Sequence, residues 1–284
     1  NMTKTIDTLV DDIYDLVSNG KKKPDQGLLF ELGATVMDSM RKQLWVSQAA
    51  PNPKLRMSNI GKPCSRALWY DINGDDQAES FTPQTKLKFI VGDIVEAMLI
   101  YLAKEAGHSV TEMQSEIEID DIKGHIDCMI DGELVDVKSA SAFSMKKFKN
   151  GTLPDDDAFG YISQISGYAN AFGKKSGTFL AFDKSGGELA TYTHHEIEDT
   201  SAKIASIKHD VALPEPPERH FDTVVDKQSR RKKLGINCSY CSHKKTCWGD
   251  ELEVKFRSGR PVFLVGEEKV EQEMENRKRN VLLH

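Results

Sequence analysis

Two aspartates and a lysine lie close together in the stretch Gly124-His125-Ile126-Asp127-Cys128-Met129-Ile130-Asp131-Gly132-Glu133-Leu134-Val135-Asp136-Val137-Lys138, and strand geometry says which way each faces. Asp131-Gly132 is a two-residue turn of the kind that the twist of antiparallel strands favours. That turn pairs Ile130 with Glu133, Met129 with Leu134 and Cys128 with Val135. It also carries Asp127 opposite Asp136, with β-carbons about 5 Å apart. Like charges so placed are destabilising unless a cation lies between them. Lys138 shares the face of Asp136 because strand side chains alternate, and the same register sets His125 opposite Lys138. The other face, Ile126, Cys128 and Ile130 against Val135 and Val137, is apolar and reads as core, so Cys128 is expected to be a buried structural thiol.

Paired carboxylates are hard oxygen donors suited to Mg²⁺ or Mn²⁺. Glu96 is the expected third carboxylate, and Gly92, one turn before it, leaves room for a backbone or a phosphate to approach the helix. A cation held by such acids polarises a phosphoryl oxygen and lowers the pKa of water. Lys138 would hold or activate that water, or stabilise charge developing on the phosphate. An isolated Asp-x-Lys on a hairpin is ordinarily a solvated pair; the opposed Asp127 and the preceding helix set this one apart. Gln164 and Tyr168 stand at i and i+4 on one helix face, where an amide and a phenol can bond the acidic strand or a phosphate. A second constellation is Cys64 with Cys238-x-x-Cys241-x5-Cys247. Four thiolates suit zinc or an iron-sulfur cluster, and spacing alone does not choose between them.

The elements that must position these groups follow from periodicity. Apolar residues from Ile6 to Val17 and from Leu28 to Trp45 repeat at helical spacing, separated by Lys21-Lys22-Lys23-Pro24. Residues 51 to 63 read as a proline-rich loop from which Cys64 enters a short helix to Tyr70, and Gln77 to Pro83 as a polar connection. Lys86 to Glu105 is the strongest helix. Strands are expected at Val110 to Ile119, Lys123 to Ile130 and Glu133 to Ser139, then a basic and acidic loop over 144 to 157, and a helix from Ala158 to Phe172. A strand pair, Gly177 to Asp183 with Leu189 to His195, and a helix from Ile197 to Val211 follow. Pro214-Glu215-Pro216-Pro217 marks a linker into the cysteine-rich segment, and Glu267 to Arg279 reads as a charged helical tail. The order gives an α+β class: a central mixed β-sheet flanked by helices. It divides as a helical N-terminal extension over 1–57, a core over 58–212, and a cysteine-rich segment with its charged tail over 213–284.

Gly92-x-x-x-Glu96, Gly124-His125-Ile126-Asp127, Asp136-Val137-Lys138 and Gln164-Ile165-Ser166-Gly167-Tyr168 resemble, in order and spacing, the motifs of RecB-type nucleases of the PD-(D/E)XK superfamily. The match spans residues 86 to 170. Many relatives carry histidine where this chain has Glu96 and glutamate where it has Asp136; both replacements retain a ligand. The resemblance implies a restriction-endonuclease-like core that hydrolyses phosphodiester bonds. In it Glu96, Asp127, Asp136 and the carbonyl of Val137 bind catalytic Mg²⁺ or Mn²⁺, Lys138 is catalytic, and Gln164 and Tyr168 assist. The cysteine arrangement is similar to that of the iron-sulfur nucleases of the CRISPR-associated and AddB-like branches, where one cysteine precedes the core and three follow it. That implies a 4Fe-4S cluster on Cys64, Cys238, Cys241 and Cys247, with zinc as the alternative, closing a long loop.

Basic residues gather at Lys146, Lys147 and Lys149, at Arg230 to Lys233 and at Lys244-Lys245. With Arg66 and His125, Lys146 and Lys147 are the candidate contacts to a phosphate backbone. Trp69, Tyr70, Phe143, Phe148 and Tyr240 are the aromatics available to stack on unpaired bases. The chain has 284 residues, 39% hydrophobic and 29% charged, with 44 acidic and 38 basic side chains and a net charge of −6. Any nucleic-acid contact must therefore come from local patches, because the overall field is negative. No apolar run reaches the length of a membrane span, no basic-then-apolar leader precedes the first helix, and the crowded thiols suit a reducing compartment, so a cytoplasmic protein with no membrane partner is expected. The expected function is a metal-dependent DNA exonuclease acting on single-stranded DNA or duplex ends in recombination, repair or replication. A second copy of the chain or recombination and replication proteins are further candidate partners. Rival readings are an end-trimming nuclease of CRISPR adaptation, a zinc-clasped endonuclease of restriction type, and a DNA-binding or assembly subunit with an idle site.

Overall fold

The structure, a computed structural model, describes residues 4–45 and 53–269. In chain order the helices are α1 (Leu9–Asn19), α2 (Gln26–Leu44), α3 (Ser65–Asn73), α4 (Pro83–Glu105), α5 (Ala142–Asn150), α6 (Tyr161–Ala171), α7 (Thr200–Val211), α8 (Ile236–Ser239) and α9 (Lys244–Trp248). The strands are β1 (Val110–Thr111), β2 (Glu116–Ile119), β3 (Ile122–His125), β4 (Cys128–Ile130), β5 (Glu133–Ala140), β6 (Gly177–Asp183), β7 (Leu189–His194), β8 (Val224–Val225), β9 (Arg231–Lys233), β10 (Leu252–Arg257) and β11 (Arg260–Lys269). They form two compact units. One comprises the described residues up to Lys62 together with Thr82–Ile207; the other comprises Pro63–Phe81 and the described residues from Lys208 onward.

The first unit is built on a sheet of order β1-β4-β5-β6-β7, in which β5 and β6 run parallel and the other pairs antiparallel. Helices flank this mixed sheet, as the α+β reading expects. On one face Leu9 and Ile13 of α1 and Val95, Leu99 and Ala103 of α4 meet Cys128, Ile130, Val135 and Leu180 in one buried cluster. Burying each larger aliphatic side chain there contributes about 1.5–3 kcal/mol. Phe179, the next residue along β6, faces the opposite way, with its ring 5.6 Å from that of Phe148 on α5 and 6.2 Å from that of Tyr161 on α6. Strand alternation thus gives β5 an apolar side and a side for chemistry.

The hairpin turn has the expected form. Asp131 and Gly132 both adopt positive φ, 52° and 81°, and Cys128, Met129 and Ile130 pair with Val135, Leu134 and Glu133. Beyond Cys128 the expected register fails. The amide of Ile126 donates to the Ser115 carbonyl and that of Gln114 to the Asp127 carbonyl, so the chain leaves β5 and His125 pairs with Glu116 in the two-stranded sheet β2-β3. His125 therefore does not oppose Lys138. The single strand expected from Val110 to Ile119 is likewise split, because Glu112 and Gln114 take positive φ of 51° and 53°.

Residues 142–150 are helix α5 rather than the expected loop. Ser141 caps it by accepting the Ser144 amide, Gly151 ends it at φ 66°, and Met145 and Phe148, one turn apart, are buried. Of the tail expected over Glu267 to Arg279, residues 267–269 continue strand β11, and the rest lies outside the described residues. Among the described residues no helix is long and apolar enough to cross a membrane.

The second unit contains an antiparallel sheet of order β10-β11-β9-β8. Asp226 is its electrostatic hub, 2.8 Å from Arg257 Nη2 and accepting from Ser229 Oγ at 2.6 Å. These bonds hold its carboxyl far below the ordinary range despite burial.

Two backbone constraints yield measurable expectations. A β-carbon added to Gly160, whose φ is 72°, would stand 1.7 Å from the Gly61 carbonyl oxygen. Gly160→Ala should lower unfolding free energy by about 3 kcal/mol or more, read from the urea midpoint; an unchanged midpoint would mean that this approach does not exist. Asp226→Ala should cost about 2–3 kcal/mol at neutral pH. The parent's advantage over that variant should vanish as pH falls, because a carboxyl depressed in the folded state stabilises above its unfolded pKa and stops doing so once it is protonated in both states.

Candidate active site

Strand β5 carries Asp136 and Lys138 on one face, and their side chains are 5% and 18% exposed. The Lys138 ammonium lies 2.6 Å from Asp136 Oδ2, off the direction of a good hydrogen bond, so this buried oxygen makes none of good geometry. Asp127, just before β4, turns its Oδ2 to accept the Val137 amide at 2.7 Å. Its side chain thereby continues on β5 where the main-chain ladder stops. Helix α4, capped by Thr82 with Pro83 in its first turn, brings in Glu96, whose Oε1 accepts from Gln114 Nε2 at 2.8 Å.

Electrostatics binds these groups into one site. Burial pushes the Asp127 carboxyl well up, and the charges of Asp136 and Glu96 push it further. Glu96 is raised by burial and by Asp136 and Asp93, against the opposing Gln114 bond. Burial disfavours the Lys138 charge, but Asp136 and Asp127 more than reverse this, and the ammonium is held protonated beyond the ordinary lysine range. The Tyr161 ring lies beneath it, with Nζ 4.5 Å from the centroid. Gln164 Nε2 donates to Tyr168 Oη at 3.0 Å, and burial followed by the Asp136 charge pushes the Tyr168 phenol up to about 12.

Glycines allow this packing. A β-carbon on Gly124 would meet Met57 Cβ at 2.5 Å and Tyr168 Cε1 at 3.2 Å, and one on Gly167 would meet Met57 Sδ at 2.5 Å. Gly92 is different: among the described residues nothing lies within 4 Å of its would-be β-carbon, so no described backbone approaches it.

The site thus gathers Glu96, Asp127, Asp136, Lys138, Gln164 and Tyr168, with Val137 between the aspartates. Tyr161 and Gln114 belong to it and were not anticipated. Tyr161 stands three residues before Gln164, one turn away on the same helix, a signal that was available; Gln114 sits in a positive-φ turn that periodicity does not reveal. Among the proposed phosphate contacts, His125 is exposed, 3.9 Å from Glu116. Lys147 Nζ is taken up by the carbonyl and carboxylate of Asp156, at 2.8 and 2.6 Å, whereas Lys146 is exposed on α5. Arg66, in the second unit, donates to the carbonyls of Pro216 and Pro217 and so braces the proline segment instead of standing free for phosphate. Cys128 is buried in the core cluster, and burial pushes its thiol far up.

In the second unit Cys64 starts α3, Cys238 lies in α8, and Cys241 and Cys247 follow. The Cys238 thiol is pushed up to about 11 by burial and then by Cys241, Cys64 and Cys247, which places all four thiols in one neighbourhood. Polar bonds surround them. His243 bridges Asp71 and Asp75 at 2.8 Å each, Lys244 is buried against Glu79, and Arg219 Nη2 donates to the Cys247 carbonyl at 2.7 Å. Lys244 is therefore not a surface cation, and Arg231 is likewise engaged, with Gly266 and Glu253.

No family model and no curated protein matches the sequence. Among solved structures, SSO0001 is similar at 15% identity and a TM-score of 0.39, over 78% of this chain and 96% of that one. The alkaline exonuclease LHK-Exo of Laribacter hongkongensis, in complex with dAMP, is 16% identical at 0.39 over 57% and 85%. A phage-related exonuclease of Haemophilus somnus 129PT is 16% identical at 0.39 over 57% and 92%. Likenesses of this order say nothing about the chemistry of this chain.

The donor chemistry does. Glu96, Asp127 and Asp136 are hard oxygen donors; Asp127 and Glu96 are raised by neighbouring acids, and Asp136 Oδ2 is buried without a well-directed bond; charge and donor type fit a divalent cation. Among the described residues no group of three or more His, Cys, Asp or Glu side chains is arranged to hold a metal ion. If the acids repel as their raised pKa values indicate, Asp127→Asn should raise metal-free stability by about 1 kcal/mol at neutral pH. It should also weaken the dependence of that stability on added Mn²⁺. A melting temperature that falls in the variant and rises equally with Mn²⁺ in both proteins would contradict this.

Proposed function

We propose that this chain is a divalent-metal-dependent deoxyribonuclease of PD-(D/E)XK, RecB-like type, acting as an exonuclease on single-stranded DNA or duplex ends in recombination, repair or replication. The observation that carries the reading is the grouping of Glu96, Asp127 and Asp136 around a lysine held protonated on β5. Three acids and one ammonium, with Asp136 buried and the others half-buried, leave an excess of acidic groups, which is costly for a merely structural cluster and suits a site that takes a cation and an anionic phosphate.

Glu96, Asp127, Asp136 and the Val137 carbonyl are the groups that would hold Mg²⁺ or Mn²⁺, which when bound polarises a phosphoryl oxygen and makes water more acidic. Lys138, kept protonated by its acidic neighbours, places positive charge where the phosphate gains negative charge. Since its ammonium holds its proton so firmly in this arrangement, stabilising that charge fits it better than taking a proton from water. Tyr161 fixes the ammonium from below, and the Gln164–Tyr168 pair offers an amide and a neutral phenol as donors to phosphate oxygens. The same groups serve end trimming in CRISPR adaptation, for which the chain offers no partner-specific feature.

We further propose that Cys64, Cys238, Cys241 and Cys247 hold a 4Fe-4S cluster, with zinc as the alternative. Four thiols in one neighbourhood, one far from the others in sequence, support it. A second functional reading, a DNA-binding subunit with an idle site, draws on the Lys138–Asp136 ion pair, which already occupies an oxygen that a cation would need.

Labelled single- and double-stranded DNA with Mg²⁺ or Mn²⁺ tests the proposal. The parent should shorten DNA from an end, and Asp136→Ala and Lys138→Met should each lose at least about 100-fold in rate. Retained hydrolysis in either variant would remove that residue from the chemistry; binding without cleavage by cluster-loaded parent would favour the idle site. Cys247→Ala should lose bound metal and, for a cluster, absorbance near 400 nm. A colourless parent carrying one zinc ion would decide for zinc.

A further inference from the structure

We propose that Phe159 and Tyr161 form a stacking step for an unpaired nucleobase beside Lys138, so that the site selects single-stranded DNA or a frayed end over intact duplex; this rests on the nuclease reading of the same site. Phe179, Tyr161 and Phe159 make a run of ring contacts from core to surface, with centroids 6.2 Å and then 5.6 Å apart. Phe179 is fully buried, Tyr161 is half-buried under the Lys138 ammonium, and Phe159 is 68% exposed. The run therefore ends in an aromatic face open to solvent, one ring away from the proposed catalytic lysine.

A single exposed phenylalanine is ordinary on a protein surface; this one stands on a pinned loop. The Asp157 carboxylate accepts the amides of Tyr161 at 2.9 Å and Ile162 at 2.8 Å. Gly160, at φ 72°, is packed against Gly61 so closely that no β-carbon fits on either residue. A ring held out by such a loop loses little freedom when something stacks on it. Asp156 is paired with Lys147, and the Asp157 carboxylate is turned into the start of α6 by the two backbone amides it accepts.

Stacking on an aromatic needs a free base face, which paired bases inside a duplex do not offer, and it tolerates any sequence because every base has such a face. A base on Phe159 would bring a phosphate of its own or the adjoining nucleotide toward Lys138, coupling strand selection to the chemistry.

The test measures binding of a fluorescent single-stranded 12-mer with Ca²⁺ replacing Mg²⁺, alongside steady-state cleavage with Mg²⁺. Phe159→Ala should weaken binding and raise KM about 5- to 100-fold, lower kcat/KM at least as much, and melt like the parent. Phe159→Trp should restore binding. Removing the terminal bases, leaving abasic sugars, should cost the parent a similar factor and cost Phe159→Ala little more. Equal affinity of parent and Phe159→Ala, or an equal loss with and without the bases, would overturn the stacking step. If that happens while cleavage remains metal-dependent and sensitive to Asp136→Ala, the nuclease reading survives without it. Base-dependent binding with no cleavage would spare the step and remove the nuclease, and failure of the parent to bind the 12-mer would overturn the step while metal-dependent cleavage of duplex ends still decides the nuclease reading.

Discussion

The ammonium of Lys138 is what makes the acidic site tolerable in the folded chain. Bringing an ion out of water costs several kcal/mol even after relaxation, and opposed carboxylates repel. Asp127 and Glu96 both show the strain, each raised first by its own burial and then by neighbouring acids. Lys138 also loses hydration, yet its proton is held more firmly than in water because Asp136 and Asp127 surround it. Its cation is thus a structural counter-ion to Asp136 on β5 and to Asp127 just before β4.

Holding the site together falls to neutral packing behind it. Strand β5 turns Val135 into the cluster formed with α1 and α4, and alternation then commits Asp136 and Lys138 to the opposite face without further specification. Asp127 is placed by a different device. Its carboxylate accepts the Val137 amide, so an acid suited to a cation also stands in for a missing ladder bond. Tyr168 is placed by glycine: its ring reaches Gly124 only because that residue has no β-carbon, and Gly167 makes the same concession to Met57 on the other side. What the Gly-x-x-Asp and Gln-x-x-x-Tyr motifs share in this chain is a packing contact.

Much of this was legible in the sequence, and the limits have physical causes. The Asp131-Gly132 turn fixes the near register of the hairpin because its backbone geometry is local, and Cys128 falls in the core by alternation alone. The far register was not legible. Whether a strand continues past Cys128 depends on Ser115 and Gln114 offering competing main-chain partners, which is a tertiary matter. Helix α5 was obscured by its lysines, although its Ser141 cap and Gly151 terminator were readable. The basic runs misled for a related reason. Charge composition does not say whether Lys147, Arg231 and Lys244 face solvent or acids, and each is paired.

The four cysteines invite a view of the second unit as assembled by its metal, and its polar bonds argue otherwise. Cys64 is separated from Cys238 by a long stretch of chain, and the entropy of closing such a loop rises only slowly with length, by about 0.6 kcal/mol per doubling. Residues 71 to 79 already reach residues 242 to 246 through His243 with Asp71 and Asp75, Thr246 with Asp75, Lys244 with Glu79, and the Glu79 amide on the Ser242 carbonyl. Burial works against a charged His243, but its two carboxylate partners outweigh that and raise its pKa. These contacts join the two segments without any metal, so a cluster or zinc ion, were one bound, would add its binding free energy to the affinity of the site more than to the folding of the chain.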